Sequence, residues 1–297
     1  MVKEIIYTNG THTKTGEKLI LKRFNKIHAK RLYMAWTNPQ SFRYNDIPEV
    51  NMEDENEWDC VGEIANYGFP SDKGMYFMTI HRINPQTNEE ELIGNCRFGK
   101  CPYKDYKDRN DVWDMGFSII RDDDKLEYSD EEIIKAFTSE KDQETLGIKA
   151  LYRDNTYWKN GYITEVIATI LEIARQNGVK KVVSGADIHN LGSLKAHIKC
   201  GMKLSEINSE YKFDDDNDPE VDIDIDPNTP IQTPTQEEIN TYWNDIFLNA
   251  INEKINEVNK KYPNFWEDCR TQKLNKALTR NQDRRDFKAT KHPQREL

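Results

Sequence analysis

Two short runs carry the residues of this chain best placed to do chemistry together. The first is W-K-N-G-Y-I-T-E, Trp158 to Glu165, and the second is N-L-G-S-L-K-A-H, Asn190 to His197. In the first run a small-residue turn around Gly161 stands directly before an apolar stretch with helical period. A turn that opens a helix leaves a cluster of backbone N–H groups without intrahelical partners, and such a cluster is a ready site for a phosphate or pyrophosphate. In the second run Asn190, with Ser193 three residues on, is an N-cap signature for another helix. Along that helix Ser193, Ala196, His197 and Cys200 share one face, and His197 carries an imidazole able to give up a proton near neutral pH. A carboxylate, Asp114, lies in a strand-like segment whose residues alternate. Trp113, Met115, Phe117 and Ile119 fall on one face, and Asp114, Gly116 and Ser118 on the other, which leaves the second face to line a cleft.

The elements that must position these groups follow from periodicity and punctuation. Lys18 to Phe24 reads as a strand, and Ile27 to Trp36 as a helix stopped at Asn38-Pro39. Trp58, Val61, Ile64 and Ala65 mark a second helix. Met75 to Ile83 and Leu92 to Phe98 form a hairpin around N-P-Q-T-N-E-E-E, and Val112 to Ile120 is the strand that carries Asp114. Arg121 to Asn155 reads as an acidic insertion with a capping box at Ser129 and Glu132 and a helix through Phe137. A helix from Ile163 ends at Asn177-Gly178. A strand over Val179 to Ala186, the short helix Ser193 to Cys200, and a hairpin of Leu204 to Phe213 with Val221 to Asp226 complete the series. Strand, small turn, helix, strand and Asn-capped helix is a layout that can aim two helix N-termini at one cleft.

Residues 1–228 therefore read as one α/β domain. A Pro-rich linker follows at 229–234, and residues 235–297 form a helical extension with a basic tail. Thr235 and Glu238 make a further capping box, and Ile239, Trp243, Ile246, Phe247, Ala250, Ile251, Ile255 and Val258 form one stripe of a long helix that Lys260 to Pro263 stops. A second helix is expected over Phe265 to Leu278. The C-terminal helices are also expected to offer a surface for a homodimer.

With 297 residues, 32% charged, 36% hydrophobic and 10% aromatic, the chain is long and apolar enough for a real core, which excludes wholesale disorder. The net charge of −10 disfavours nucleic acid and favours cationic small molecules or basic segments as partners. Acids crowd the turn from Asp214 to Glu220 and bases the tail from Arg270. Cys60, Cys96, Cys101, Cys200 and Cys269 form an odd set without a C-x-x-C pair, so neither a disulfide framework nor a zinc site is indicated and no metal is expected. Free thiols, no apolar leader and no eighteen-residue apolar run give the expectation of a cytoplasmic protein that does not span a membrane.

Residues 17 to 226 resemble the GNAT superfamily of N-acetyltransferases, in particular the branch related to ribosomal-protein alanine acetyltransferases. The resemblance is carried in order by E-K-L-I-L-K-R-F, Asn38-Pro39, Arg43-Tyr44, Ile93-Gly94, D-M-G-F, W-K-N-G-Y-I-T-E and N-L-G-S-L-K-A-H-I-K-C-G-M. It implies a mixed, mostly antiparallel central sheet flanked by helices, here with a C-terminal helical extension. It further implies that acetyl-CoA is the co-substrate, bound by Trp158, Lys159, Asn160, Gly161, Tyr162 and Ile163 at the pyrophosphate, by Asn190 and Ser193 along the pantetheine arm, and by Phe117 and Ile119 on the strand. The acetyl group would pass directly to a primary amine, either a protein N-terminus or a small cationic molecule. Asp114 stands where many relatives have a Glu and would take the amine proton, directly or through water. His197 stands where many place a Tyr and would protonate the departing thiolate. A competing reading is a non-catalytic module that keeps the fold and coenzyme binding and uses its extension for assembly.

Overall fold

The computed structural model describes residues 2–42, 58–106, 108–121, 124–137, 157, 159–207 and 219–291. Its strands are β1 (Ile5–Tyr7), β2 (Ile20–Arg23), β3 (Met75–Ile83), β4 (Glu90–Lys100), β5 (Val112–Ile119), β6 (Lys181–Gly185), β7 (Lys203–Ile207) and β8 (Pro219–Asp224). They form one sheet in the order β1-β2-β3-β4-β5-β6-β8-β7. Every neighbouring pair is antiparallel except β5 and β6, which are parallel. Antiparallel neighbours can be joined by tight turns. The β3–β4 turn is built that way: the Asn84 side chain accepts the Gln86 N–H at 2.8 Å, and Asn88 takes a left-handed φ of 58°. Parallel neighbours need a crossover, and here it includes a long helix.

Beside the one-turn helix Pro39–Phe42, the helices are α1 (Ala29–Trp36), α2 (Asp59–Glu63, running on into a π-helical turn, Ile64–Gly68), α3 (Asp130–Phe137), α4 (Tyr162–Gln176) and α5 (Leu191–Lys199). Two more follow. In α6, Gln236–Thr241 and Leu248–Lys261 are joined by π-helical Tyr242–Phe247, and α7 is Phe265–Lys291. The expected punctuation is in place. Gly178 beyond α4 has φ 75° and Gly201 beyond α5 has φ 87°, as left-handed helix ends require. Ser129 and Glu132 cap α3 reciprocally, and Thr235 and Glu238 do the same for α6.

The sheet is covered on both faces. On one, Val166, Ile167, Ile170 and Leu171 of α4 and Leu194 and Ile198 of α5 pack on Leu21, Met78, Ile80, Phe98 and Met115. On the other, Leu32, Tyr33 and Ala35 of α1 and Val61 of α2 gather around Phe77. This double cover corrects one expectation about β5. Val112 through Met115 are all buried, so the polar face of the strand is enclosed at Asp114 and opens only from Gly116 onward.

The C-terminal helices are more closely integrated than their composition suggests. Trp243, Phe247 and Ile251 of α6 belong to the main core, with the Trp243 and Phe247 rings stacked at 5.1 Å. The Tyr242 hydroxyl accepts the Leu204 N–H of β7 at 2.8 Å. The second helix, expected over Phe265 to Leu278, runs on through the basic tail to Lys291. Its Leu274, Ala277 and Leu278 cover Ile133, Ala136 and Phe137 of α3, and Arg285 pairs with Asp130 at 3.0 Å. The acidic turn Asp214 to Asp218, the far half of the 121–155 insertion and the Arg43-Tyr44 pair lie outside the described residues.

Candidate active site

The site is built where two parallel strands part. β5 and β6 are in register only over Val112 with Lys181, Trp113 with Val182 and Asp114 with Val183. Beyond that point β5 stays with β4 as far as the Gly94–Ile119 pair, and β6 stays with β8 as far as Gly185–Glu220. The result is a wedge that opens between Met115–Ile119 on one side and Ser184–Gly185 on the other. Backbone on the inner edges of such a wedge has lost its ladder partner and is available to an extended ligand.

Two helix N-termini border this region. α4 begins at Gly161, whose φ is 83°, with no side-chain cap. Lys159, two residues earlier, also takes a left-handed φ of 62°, a conformation that costs a residue with a Cβ about 1–2 kcal/mol. The uncapped N–H groups of the first turn thus fit an anion. Gly161 is needed for a further reason that sequence reasoning missed, because a Cβ there would overlap the carbonyl oxygen of His12. The chain's own N-terminal segment packs under the turn: Lys14 N–H donates to Asn160 O at 3.0 Å, and Gly10 and His12 N–H donate to the two Glu165 carboxylate oxygens at 2.6 and 2.8 Å. Glu165 is 1% exposed and serves as the anchor of that segment.

Past Gly161 the side chains face inward. Tyr162 is buried, and its hydroxyl donates to Glu17 at 2.8 Å and accepts from Arg82 at 3.1 Å. Ile163 is half-buried against the main core. What Lys159 to Ile163 offer a ligand is therefore backbone, together with the exposed Lys159 side chain. Trp158 lies outside the described residues. At α5, Asn190 accepts the Ser193 N–H at 3.3 Å and caps the helix as its position predicts. The extension reaches this same end, with Trp266 edge-on to His189 at 4.8 Å and the Lys195 ammonium 5.0 Å from the Trp243 ring centre.

The two expected proton carriers sit differently from the sequence expectation. His197 has no exposed surface. Its Nδ1 is 2.9 Å from Ser193 O, its Nε2 is 2.8 Å from Ser184 Oγ, and its ring lies 5.1 Å from Phe117. Burial pushes its pKa down to about 4, so it is neutral at physiological pH and faces protein on every side. Asp114 is 3% exposed and paired with Arg97, with the Tyr103 hydroxyl near both charges. Burial pushes the Asp114 carboxyl up in spite of Arg97, while Asp114 keeps Arg97 charged although burial opposes that charge. Glu220 of β8 lies on the same sheet face and is likewise pushed up, first by burial and then by Asp222 and Glu206. Both carboxylates act on the Cys101 thiol, so they share one neighbourhood.

A GNAT acetyltransferase domain matches residues 18–203, more than half of the chain. The chain belongs to the GNAT acetyltransferase family. Among curated proteins none matches it. Solved structures similar to this GNAT chain include RimL, a ribosomal alpha-N-protein acetyltransferase in complex with coenzyme A, at 12% identity, covering 75% of this chain and 100% of that one with a TM-score of 0.48. Mycobacterium smegmatis RimJ in complex with CoA-disulfide is 10% identical, with 80% and 92% covered and a TM-score of 0.44. An aminoglycoside acetyltransferase, AAC(6')-Ib, in complex with coenzyme A and kanamycin is 10% identical, with 75% and 97% covered and a TM-score of 0.44. The mixed, mostly antiparallel sheet flanked by helices is the GNAT fold that the sequence implied. Among the described residues of this GNAT chain, no group of three or more His, Cys, Asp or Glu is placed to hold a metal, and no helix is long and apolar enough to cross a membrane.

Proposed function

We propose that the protein transfers an acetyl group from acetyl-CoA to a primary amine by direct attack in a ternary complex. The observation that carries this reading is the wedge between β5 and β6, flanked by the uncapped start of α4 and the Asn190-capped start of α5. In this reading the backbone from Lys159 to Ile163 holds the pyrophosphate, and Asn190 and Ser193 border the pantetheine arm. The strand backbone at Phe117 and Ile119 faces the thioester end. Bound acetyl-CoA supplies an activated carbonyl. The amine nitrogen forms a bond to that carbon, the carbon–sulfur bond breaks, and the ammonium proton must leave.

Asp114 and Glu220 are the carboxylates proposed to receive that proton, through water where Asp114 is enclosed. Their raised affinities suit proton uptake better than an ordinary surface acid would. A cationic acceptor fits their charge and that of Glu206 and Asp222 on the same hairpin, whether it is a protein N-terminus or a small amine. His197 is an unsuitable acid at neutral pH, and a simple thiol with a pKa of about 8.5 takes its proton from solvent there without one.

The test is release of free CoA thiol from acetyl-CoA in the presence of peptides with free N-termini and of small polyamines, alongside calorimetric binding of CoA. Amine-dependent release supports the reading. CoA binding without turnover on any amine would favour the non-catalytic module.

A further inference from the structure

The ladder between β5 and β6 ends at Asp114 and Val183, and the next residues on each strand are Met115 and Ser184. There a side chain takes over from the backbone. Ser184 is 2% exposed, and its Oγ reaches Met115 O across the gap at 3.0 Å. The same oxygen is 2.8 Å from His197 Nε2, and His197 Nδ1 is 2.9 Å from Ser193 O on its own helix. One chain of polar contacts thus runs from β5 through β6 into α5, at the apex of the wedge, with Phe117 resting on the imidazole.

Counting hydrogens constrains this chain. The carbonyls of Met115 and Ser193 can only accept, so a neutral imidazole must carry its hydrogen on Nδ1 to satisfy Ser193 O. Nε2 is then an acceptor. Ser184 has a single hydroxyl hydrogen, and two acceptors, Nε2 and Met115 O, compete for it. A third hydrogen would require the imidazolium, which burial opposes. The hydroxyl therefore has two alternative partners, one on the strand and one on the helix.

We propose that Ser184 and His197 are positioning residues that set the opening of the β5–β6 wedge, the Ser184 hydrogen turning to His197 when a ligand N–H takes over the Met115 carbonyl. The proposal rests on the acyl-CoA reading of the wedge. It assigns His197 a structural hydrogen-bonding duty in place of proton transfer, and it makes Ser184, which has no place in the motifs, part of coenzyme binding.

The experiment compares Ser184→Ala, His197→Leu, His197→Gln and the Ser184→Ala/His197→Leu double variant. Each is measured for kcat, KM for acetyl-CoA and pH profile from 6 to 9, with calorimetric Kd for CoA. Loss of one hydrogen bond is worth about tenfold in affinity. His197→Leu, which leaves the Ser184 hydrogen without a partner once the ligand holds Met115, is thus expected to raise Kd and KM about tenfold with kcat little changed, whereas Ser184→Ala, which removes a competitor for that carbonyl, raises neither, and the double variant relieves the His197→Leu loss. Gln, which keeps an acceptor near Nε2, should recover most of the loss. A fall in kcat with KM unchanged, a pH limb lost with His197, or additive effects in the double variant would overturn the proposal.

Imidazole nitrogen NMR of the unmodified protein tests it even if a variant fails to fold. The expected result is a neutral Nδ1–H tautomer that does not titrate between pH 8 and 5.5, and a titration midpoint above 6 would refute it. CoA binding with unaltered KM in His197→Leu overturns the positioning role alone. No CoA binding by the unmodified protein overturns the acyl-CoA reading and this proposal together.

Discussion

Lowering the pH from 7.5 to 5 should unfold this protein far more readily than its acidic composition suggests, and two buried rings are the reason. His197 and His81 are both almost wholly enclosed, and burial moves each from the ordinary value near 6.5 down to about 4. His197 faces only Ser184 and the Ser193 carbonyl through its nitrogens. His81 faces Glu90 at 2.9 Å, Thr79 at 2.8 Å, and His28 and Lys22 beyond. The unfolded chain protonates both rings below about pH 6.5 while the folded chain refuses those protons. The stability that neutral burial provides is therefore complete above that pH and lost as pH falls toward 4. At about 1.4 kcal/mol per pH unit, each ring forfeits about 2 kcal/mol by pH 5, or about 4 kcal/mol together. Asp114 and Glu220, pushed up by burial, act in the opposite sense and soften the decline toward pH 4. Urea unfolding at pH 7.5, 6 and 5 measures the effect. His197→Gln should lower stability at pH 7.5 and remove about half of the pH dependence. A midpoint independent of pH in the unmodified protein, or an equally steep decline in His197→Gln, would refute the reasoning.

Phe247→Ala should cost about 3–5 kcal/mol in chemical unfolding, because the ring is fully buried and stacked on Trp243 in the main core. A loss below 1 kcal/mol would mean that the extension is a loose appendage. Gly161→Ala should destabilise by at least the 1–2 kcal/mol that a left-handed φ costs, since its Cβ also meets the His12 carbonyl. Lys159→Gly, which relieves the same kind of φ two residues earlier, should leave thermal stability unchanged or raise it. Glu165→Gln replaces one of two oxygens that accept buried N–H groups with a donor. It should cost about 1–3 kcal/mol and expose the segment around Gly10 to protease, and an unchanged cleavage rate would count against that anchoring role.

What sequence made legible here is mostly local chemistry. Helix ends declared themselves through Asn190, Gly178, Ser129 with Glu132 and Thr235 with Glu238, because capping is decided within four residues. The strand alternation from Trp113 to Ile119 gave the correct inward face for the same reason. Long-range partners were not legible. Nothing near Asp114 in the chain announces Arg97 across the ladder, and Ser184 sits in an unremarkable strand until Met115 and His197 are brought to it. The sequence places the glycine of the W-K-N-G-Y turn at the start of a helix, where the structure has it, but only part of what fixes it there is local. Its φ is a local property, but the His12 carbonyl beside it comes from a segment about 150 residues away in sequence and joined to this helix through Glu165. The reach of the last helix was not legible either, because among its charges Leu274, Ala277 and Leu278 supply a narrow apolar seam that only α3 makes meaningful.

That seam has a consequence for how the chain is made. Ile133, Ala136 and Phe137 are covered by residues translated about 140 positions later, and Arg280 reaches Tyr33 across 247 positions. At about 5–20 residues per second of synthesis, α3 leaves the ribosome roughly 7–30 seconds before its cover exists. Throughout that interval the apolar side of α3 is open to solvent and to chaperones. A chain released early through a stop codon before Leu274 would carry the exposure permanently.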